Sequence, residues 1–117
     1  MRKLLILVCL ASANAFAVPC AINKVWTTGN GTSMNPGTPF EVPTNKTKEI
    51  QIDSEYKARI TAFPNGQLLL ELSNGVSLAR STRGDAKTGV QRHLEKFEQD
   101  GISSTGYAIF CSADLKL

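Results

Sequence analysis

The chain has 117 residues, 42% of them hydrophobic and 20% charged, with a formal net charge of +3. Lys and Arg are interleaved with Asp and Glu throughout, so there is no basic stripe of the kind that marks a nucleic-acid binder. No amphipathic basic helix for a membrane surface occurs either, and a chain this short closes one core and no more.

Arg2-Lys3, the apolar run Leu4 to Leu10 and Ala15-Phe16-Ala17 form the three regions of a cleavable signal peptide over residues 1–17. The apolar run is far shorter than the ~20 residues that span a bilayer, and no later run could cross one. Cys9 follows Val8 and Cys20 follows Pro19, where lipid attachment requires a small residue, so no lipoprotein anchor is expected. Removing 17 of the 117 residues leaves a single small β domain, 18–117. Arg2 and Lys3 depart and no acid does, so the charge falls from +3 to +1. The short leader has a bacterial look, and the expected destination is the periplasm or the exterior.

Export removes Cys9 and leaves Cys20 and Cys111, near the two ends of the mature chain, in an oxidising compartment. Their pairing is expected, and closing so long a loop contributes about 4–5 kcal/mol in the chain-entropy account. Domains of this size are stable by ~5–15 kcal/mol in total, so that is a large share. There is no Cys-x-x-Cys and only one His, so neither a metal site nor a cofactor is expected.

In chain order, Cys20 to Trp26 reads as a strand with Cys20, Ile22 and Trp26 on one face and Lys24 breaking the pattern; Trp26 reads as an anchor at the core or its edge. Gly29 to Pro43 is rich in Gly, Thr, Asn and Pro and reads as a long mobile loop. Lys46 to Ser54 reads as a strand with Ile50 and Ile52 inward.

The organising stretch is 55–81, three strands joined by Pro64-Asn65-Gly66 and Ser73-Asn74-Gly75. Both are read as three-residue turns ending in a left-handed glycine. That register places Ala62 opposite Leu68, Ile60 opposite Leu70, Ala58 opposite Leu72, Leu72 opposite Val76 and Leu70 opposite Leu78. One face of the meander is then Tyr56, Ala58, Ile60, Ala62, Leu68, Leu70, Leu72, Val76 and Leu78. The other face is polar.

Thr82 to Gly89 reads as a polar connector. Over 89–100 a short helix is expected, with a polar edge strand as the alternative: Val90, Leu94 and Phe97 fall at helical spacing, Thr88 with Gln91 suits a capping box, and Gly101 suits a C-cap, but the helical face has only three apolar residues. Thr105 to Ser112 carries apolar residues on both faces and reads as a central strand. The fold class is mainly β: a small antiparallel sandwich or partly open barrel, stapled by Cys20–Cys111.

Motifs that carry chemistry are sparse. Arg83-Gly84-Asp85 is an adhesion tripeptide when it sits at a loop tip, and a solvated connector otherwise. His93 lies in a charged run and reads as a surface residue, and Glu95, Glu98 and Asp100 read as a solvated face. Asn30-Gly31-Thr32 and Asn45-Lys46-Thr47 are glycosylation sequons, idle in a bacterial host. No catalytic residue is selected.

The expected function is a non-catalytic interaction module, envelope-associated or inhibitor-like. Its partner is an unidentified macromolecule, protein or envelope polymer, met through the loops 29–43 and 83–85 or through a sheet edge. The alternatives are a small secreted hydrolase using His93, and a structural subunit that adds a strand to a neighbour.

Overall fold

The structure, a computed structural model, describes residues 17–81 and 83–115. The signal peptide expected over 1–17 lies, up to residue 16, outside the described residues. The strands in chain order are β1 (Ala17–Thr28), β2 (Gly31–Asn35), β3 (Phe40–Pro43), β4 (Lys46–Gln51), β5 (Lys57–Ala62), β6 (Gln67–Ser73), β7 (Leu78–Arg80), β8 (Gly84–Asp85), β9 (Val90–Phe97) and β10 (Ser104–Cys111).

They build two antiparallel sheets. The first runs β2-β1-β10-β9 with β3 also on β1; the second runs β4-β5-β6-β7 with β8 also on β6. The sheets face each other across one core, with Val18, Cys20, Val90, Ile109 and Cys111 from the first and Ala58, Ile60, Leu68, Leu70 and Leu72 from the second. Neither sheet closes, so of the two architectures expected the protein adopts the open sandwich. Among the described residues no helix is long and apolar enough to cross a membrane.

The expected disulfide is present. Cys20 and Cys111 are direct partners in the β1–β10 ladder, with Cα atoms 4.0 Å apart, and both are fully buried. Tight pairing of this kind is consistent with an extracellular or otherwise oxidising compartment.

The first turn of the meander keeps its expected register, Ala62–Leu68, Ile60–Leu70 and Ala58–Leu72. Gly66 takes φ 86° and Asn65 accepts the Gln67 amide. The second turn is one residue longer than expected. Leu72 pairs with Ala79 and Ser73 with Leu78, which leaves Val76 and Leu78 exposed and puts Ala79 in the interior. Asn74 is the cause. Its Oδ1 accepts the amides of both Val76 and Ser77, and its own amide donates to Ser77 O, so the side chain builds the turn.

Two further expectations are corrected. Within 89–100, Val90–Phe97 form the strand β9, paired with β10 over its full length, so the edge strand and not the favoured helix is what the stretch adopts. An isolated helix of that size is marginal in water, whereas the strand gains a ladder and sets Val90 and Leu94 against the core. Gly101, read as a helix cap, has φ 71° in the β9–β10 turn, and Thr88 bonds back to Asp85 O. The stretch 29–43 is mostly strand as well. β2 and β3 lie end to end along β1, interrupted only by Pro36-Gly37-Thr38-Pro39, whose prolines cannot donate to a ladder. Gly37 is tucked so close that a Cβ there would stand 2.0 Å from Ile22 O, and its amide donates to Asn23 Oδ1.

β7 and β8 repeat this broken-edge design on β6, joined through Ser81, which exchanges two hydrogen bonds with Leu70: its amide to Leu70 O, and Leu70's amide to its Oγ.

Replacing both cysteines with alanine is expected to cost about 2–5 kcal/mol. Urea unfolding of the oxidised protein and of the double variant measures the difference. An unchanged midpoint would mean that the ladder holds without its staple.

Candidate functional site

Strand alternation fixes which side chains leave the sandwich on the outer face of the first sheet. On β1 these are Ala21, Asn23, Val25 and Thr27; on β10, Ser104, Gly106, Ala108 and Phe110; on β9, Gln91, His93, Glu95 and Phe97. Apart from Phe110 the residues along the middle strands are short, and those on β9 are long. The result is a depression of about 500 Å³ floored by Val25 and Ala108, with Thr32 of β2 on one side and Gln91, Arg92, His93 and Glu95 on the other.

One glycine shapes this surface. Gly106 sits between Glu95 and Val25, and a Cβ there would stand 1.9 Å from Leu94 O and 2.7 Å from Glu95 Cα. With no side chain in the way, Glu95 reaches across β10. Its Oε1 accepts from Ser104 Oγ at 2.6 Å and from Thr27 Oγ1 at 3.1 Å, and Thr27 is in turn 3.1 Å from the Thr32 hydroxyl. A carboxylate and three hydroxyls from four strands are thereby held in one line. His93 stands two residues along β9 on the same side, exposed, as the sequence suggests.

A second cluster closes the other layer. Tyr56 and Tyr107 meet edge to face at 5.1 Å, one from each sheet. The Tyr56 hydroxyl donates to Thr105 O and accepts from Asn74 Nδ2, and the Tyr107 hydroxyl donates to Asp53 Oδ2 at 2.8 Å. Partial desolvation pushes the Asp53 carboxyl up. The amides of Tyr56 and Glu55 and the Tyr107 hydroxyl outweigh it and hold the group below its usual value. Burial pushes Tyr107 up, and donation to Asp53 adds to that. Asp100, in the β9–β10 turn, is held low by the Ser103 and Ile102 amides and the Ser103 hydroxyl. These contacts join the sheets and cap a turn, and they explain themselves structurally.

The remaining sites expected from sequence are scattered. Arg83 lies over the Phe63 ring, 3.7 Å from its centroid, Gly84 pairs with Leu68, and the Asp85 carboxylate accepts the Lys87 amide. The tripeptide is thus laid along the edge of the second sheet with both charged groups engaged. Glu98 accepts from Thr105 Oγ1, so it stands apart from Glu95 and Asp100 in function. Asn30 and Asn45, the sequon asparagines, are exposed on tight turns, and Asn45 takes φ 65°. Trp26 is half-buried at the core's edge. Among the described residues no group of three or more His, Cys, Asp or Glu is placed to hold a metal ion.

Sequence reasoning missed Thr27, Thr32, Ser104, Gly106 and Ala108. Their signal was the run of small residues on one face of 104–110, which gains meaning only when 90–97 is recognised as the neighbouring strand.

The carboxyl groups set a pH dependence. A carboxyl whose folded value is depressed stabilises the fold above its unfolded value, about 3.9 for Asp. That stabilisation is lost as pH falls through the lower folded value. Thermal melts carried from neutral pH down to about pH 2 should therefore show a steeper loss in the parent than in an Asp53→Asn, Asp100→Asn variant. Parallel curves would remove both groups from the account.

No protein-family model, no curated protein and no solved structure matches this chain.

Proposed function

We propose that this chain is a secreted or periplasmic, non-catalytic binding module, and that it takes an extended segment of another macromolecule into the depression on the outer face of its first sheet. The observation that carries the reading is the shape and chemistry of that surface. A floor of small residues lies beside a raised row of Gln91, His93 and Glu95, with hydroxyls pre-oriented by Glu95. Side chains that already hold one another lose little freedom when a ligand arrives, which favours recognition. Export rests on the leader-like residues 1–17, and the buried disulfide is compatible with it.

The segment 29–43, expected to bind as a loop, takes part in this reading through β2, which lends Thr32 to the rim. The partner is a protein or an envelope polymer. Capture from the cell's own envelope extract separates the two, by mass spectrometry of bound proteins and sugar analysis of bound polymer. Ala108→Trp, which fills the floor from a half-buried position, should lower capture at least tenfold while leaving the melting temperature within a few degrees. Capture unaffected by Ala108→Trp would move the site elsewhere, and no capture at all would end the binding reading.

A secreted hydrolase acting on cell-wall or extracellular polymer remains as a second reading, because His93 and Glu95 share one side of the depression with the Ser104 hydroxyl nearby. It expects turnover that His93→Ala abolishes. Depolymerisation assays on envelope polymers that stay at background with the parent protein would exclude it.

A further inference from the structure

The four sheet edges of this sandwich are not equally protected. β9 carries Arg92, His93, Glu95 and Lys96; β4 carries Lys46, Lys48 and Glu49. The β7–β8 edge is short, broken at Ser81, and carries Arg80 and Asp85. On the remaining edge, β3 holds Glu41, follows Pro39 and ends in Pro43. Charges, prolines and breaks are the devices that keep strand edges from pairing with other chains. β2, Gly31-Thr32-Ser33-Met34-Asn35, is bounded by Pro36 at its end but carries no charge, proline or break within its five residues. All five of its residues are exposed, and Met34 is 56% exposed.

The parity of the ladder identifies which of its backbone groups face out. The turn Gly29-Asn30 closes on the pair Thr28–Gly31, and the closing pair of a two-residue hairpin is mutually hydrogen-bonded. Bonded and non-bonded pairs alternate in an antiparallel ladder, so Ser33 and Asn35 also bond inward to β1. Thr32 and Met34 then point their N–H and C=O away from it. The 3.1 Å approach of the Thr27 and Thr32 hydroxyls fits this, since the non-bonded pairs are the closer ones.

We infer that β2 is the interface for a second copy of this chain, paired antiparallel about a two-fold axis through Ser33. The geometry is self-complementary. A two-fold at Ser33 sets Thr32 of one copy opposite Met34 of the other, twice, and these are the residues whose backbone groups face out. Ser33 meets Ser33 as a non-bonded pair, where small side chains fit. No like charges meet along the strand. Pairing makes the two first sheets continuous and brings both outer depressions onto one surface, so a long partner could engage both at once. The inference does not depend on what the depression binds. An interface confined to five residues is small, so the association is weak and concentration-dependent.

Sedimentation equilibrium and light scattering of the mature protein, from the micromolar to the millimolar range, test this directly. A monomer–dimer equilibrium is expected, with the amides of Thr32 and Met34 gaining hydrogen-exchange protection as the dimer fills. Met34→Pro removes an outward N–H without touching the β1 ladder, and Met34→Lys installs the missing charge. Each should weaken dimerisation at least tenfold while the monomer's melting temperature holds. A protein that stays monomeric throughout overturns the inference and leaves β2 open to a strand from another protein. A dimer that survives both substitutions, or whose protection appears at β4 or β9, overturns it equally.

Discussion

Every strand of the first sheet hangs on the ladder between β1 and β10. It runs from Cys20–Cys111 to Thr27–Ser104 and joins the beginning of the described chain to its end. β2 and β3 attach to one side of it and β9 to the other, so without it the first sheet has no centre. Such a pairing is entropically expensive, because nearly the whole chain must be closed into a loop before the first bond forms. The second sheet has no such problem. β4 to β7 follow one another with short turns, and its register is set locally by Asn65-Gly66 and by Asn74. The disulfide is placed where the need is greatest, inside the ladder and on its core face, and it offsets a closure cost that the local meander never incurs.

The same ladder determines what the outer face can be. β10 must pack Ile109 and Cys111 inward, yet β9 crowds it at Gly106. A small residue there is a backbone requirement, and the open lane it leaves lets Glu95 cross to Thr27. The line of carboxylate and hydroxyls is thus a by-product of how closely β9 approaches β10. The proposed binding surface therefore needs no loop devoted to it.

Most of the scaffold was legible in the sequence, where the signal was local or chemically unique. Cys20 and Cys111, expected from the sequence to pair with each other, do so, and the Pro64-Asn65-Gly66 turn fixed the β5–β6 register through the left-handed Gly66. The errors share one origin, a local pattern overruled by a partner distant in sequence. Val90, Leu94 and Phe97 fit a helix, but β10 offers β9 a complete ladder, and Phe97 ends up 71% exposed. Gly29 to Pro43 has a loop's composition, but β1 is long enough to pair with both of its ends. At Ser73–Leu78 a side chain decided matters: Asn74 capped two amides, lengthened the turn and turned Leu78 out to solvent. The site itself was not legible, because it consists of ordinary small and polar residues that only strand order brings together.

The two outer faces of the sandwich differ in a way that bears on which one recognises a partner. On the second sheet Glu71 is held between Arg80 at 2.7 Å and Arg59 at 3.9 Å, and Arg59 also meets Glu49 at 3.2 Å. Such exposed pairs contribute about 0–1 kcal/mol each to stability, but a ligand lying over them would have to strip water from four charges. The first sheet's depression is lined by one carboxylate, already held by hydroxyls, and by Arg92, over a floor of Val25 and Ala108. Covering that surface desolvates two charged groups, Glu95 and Arg92, rather than four, together with hydroxyls and apolar carbon, which is cheaper. The face with four paired charges is therefore the costlier one to cover, and the less charged face, which borders strand β2, is the one the proposed reading uses.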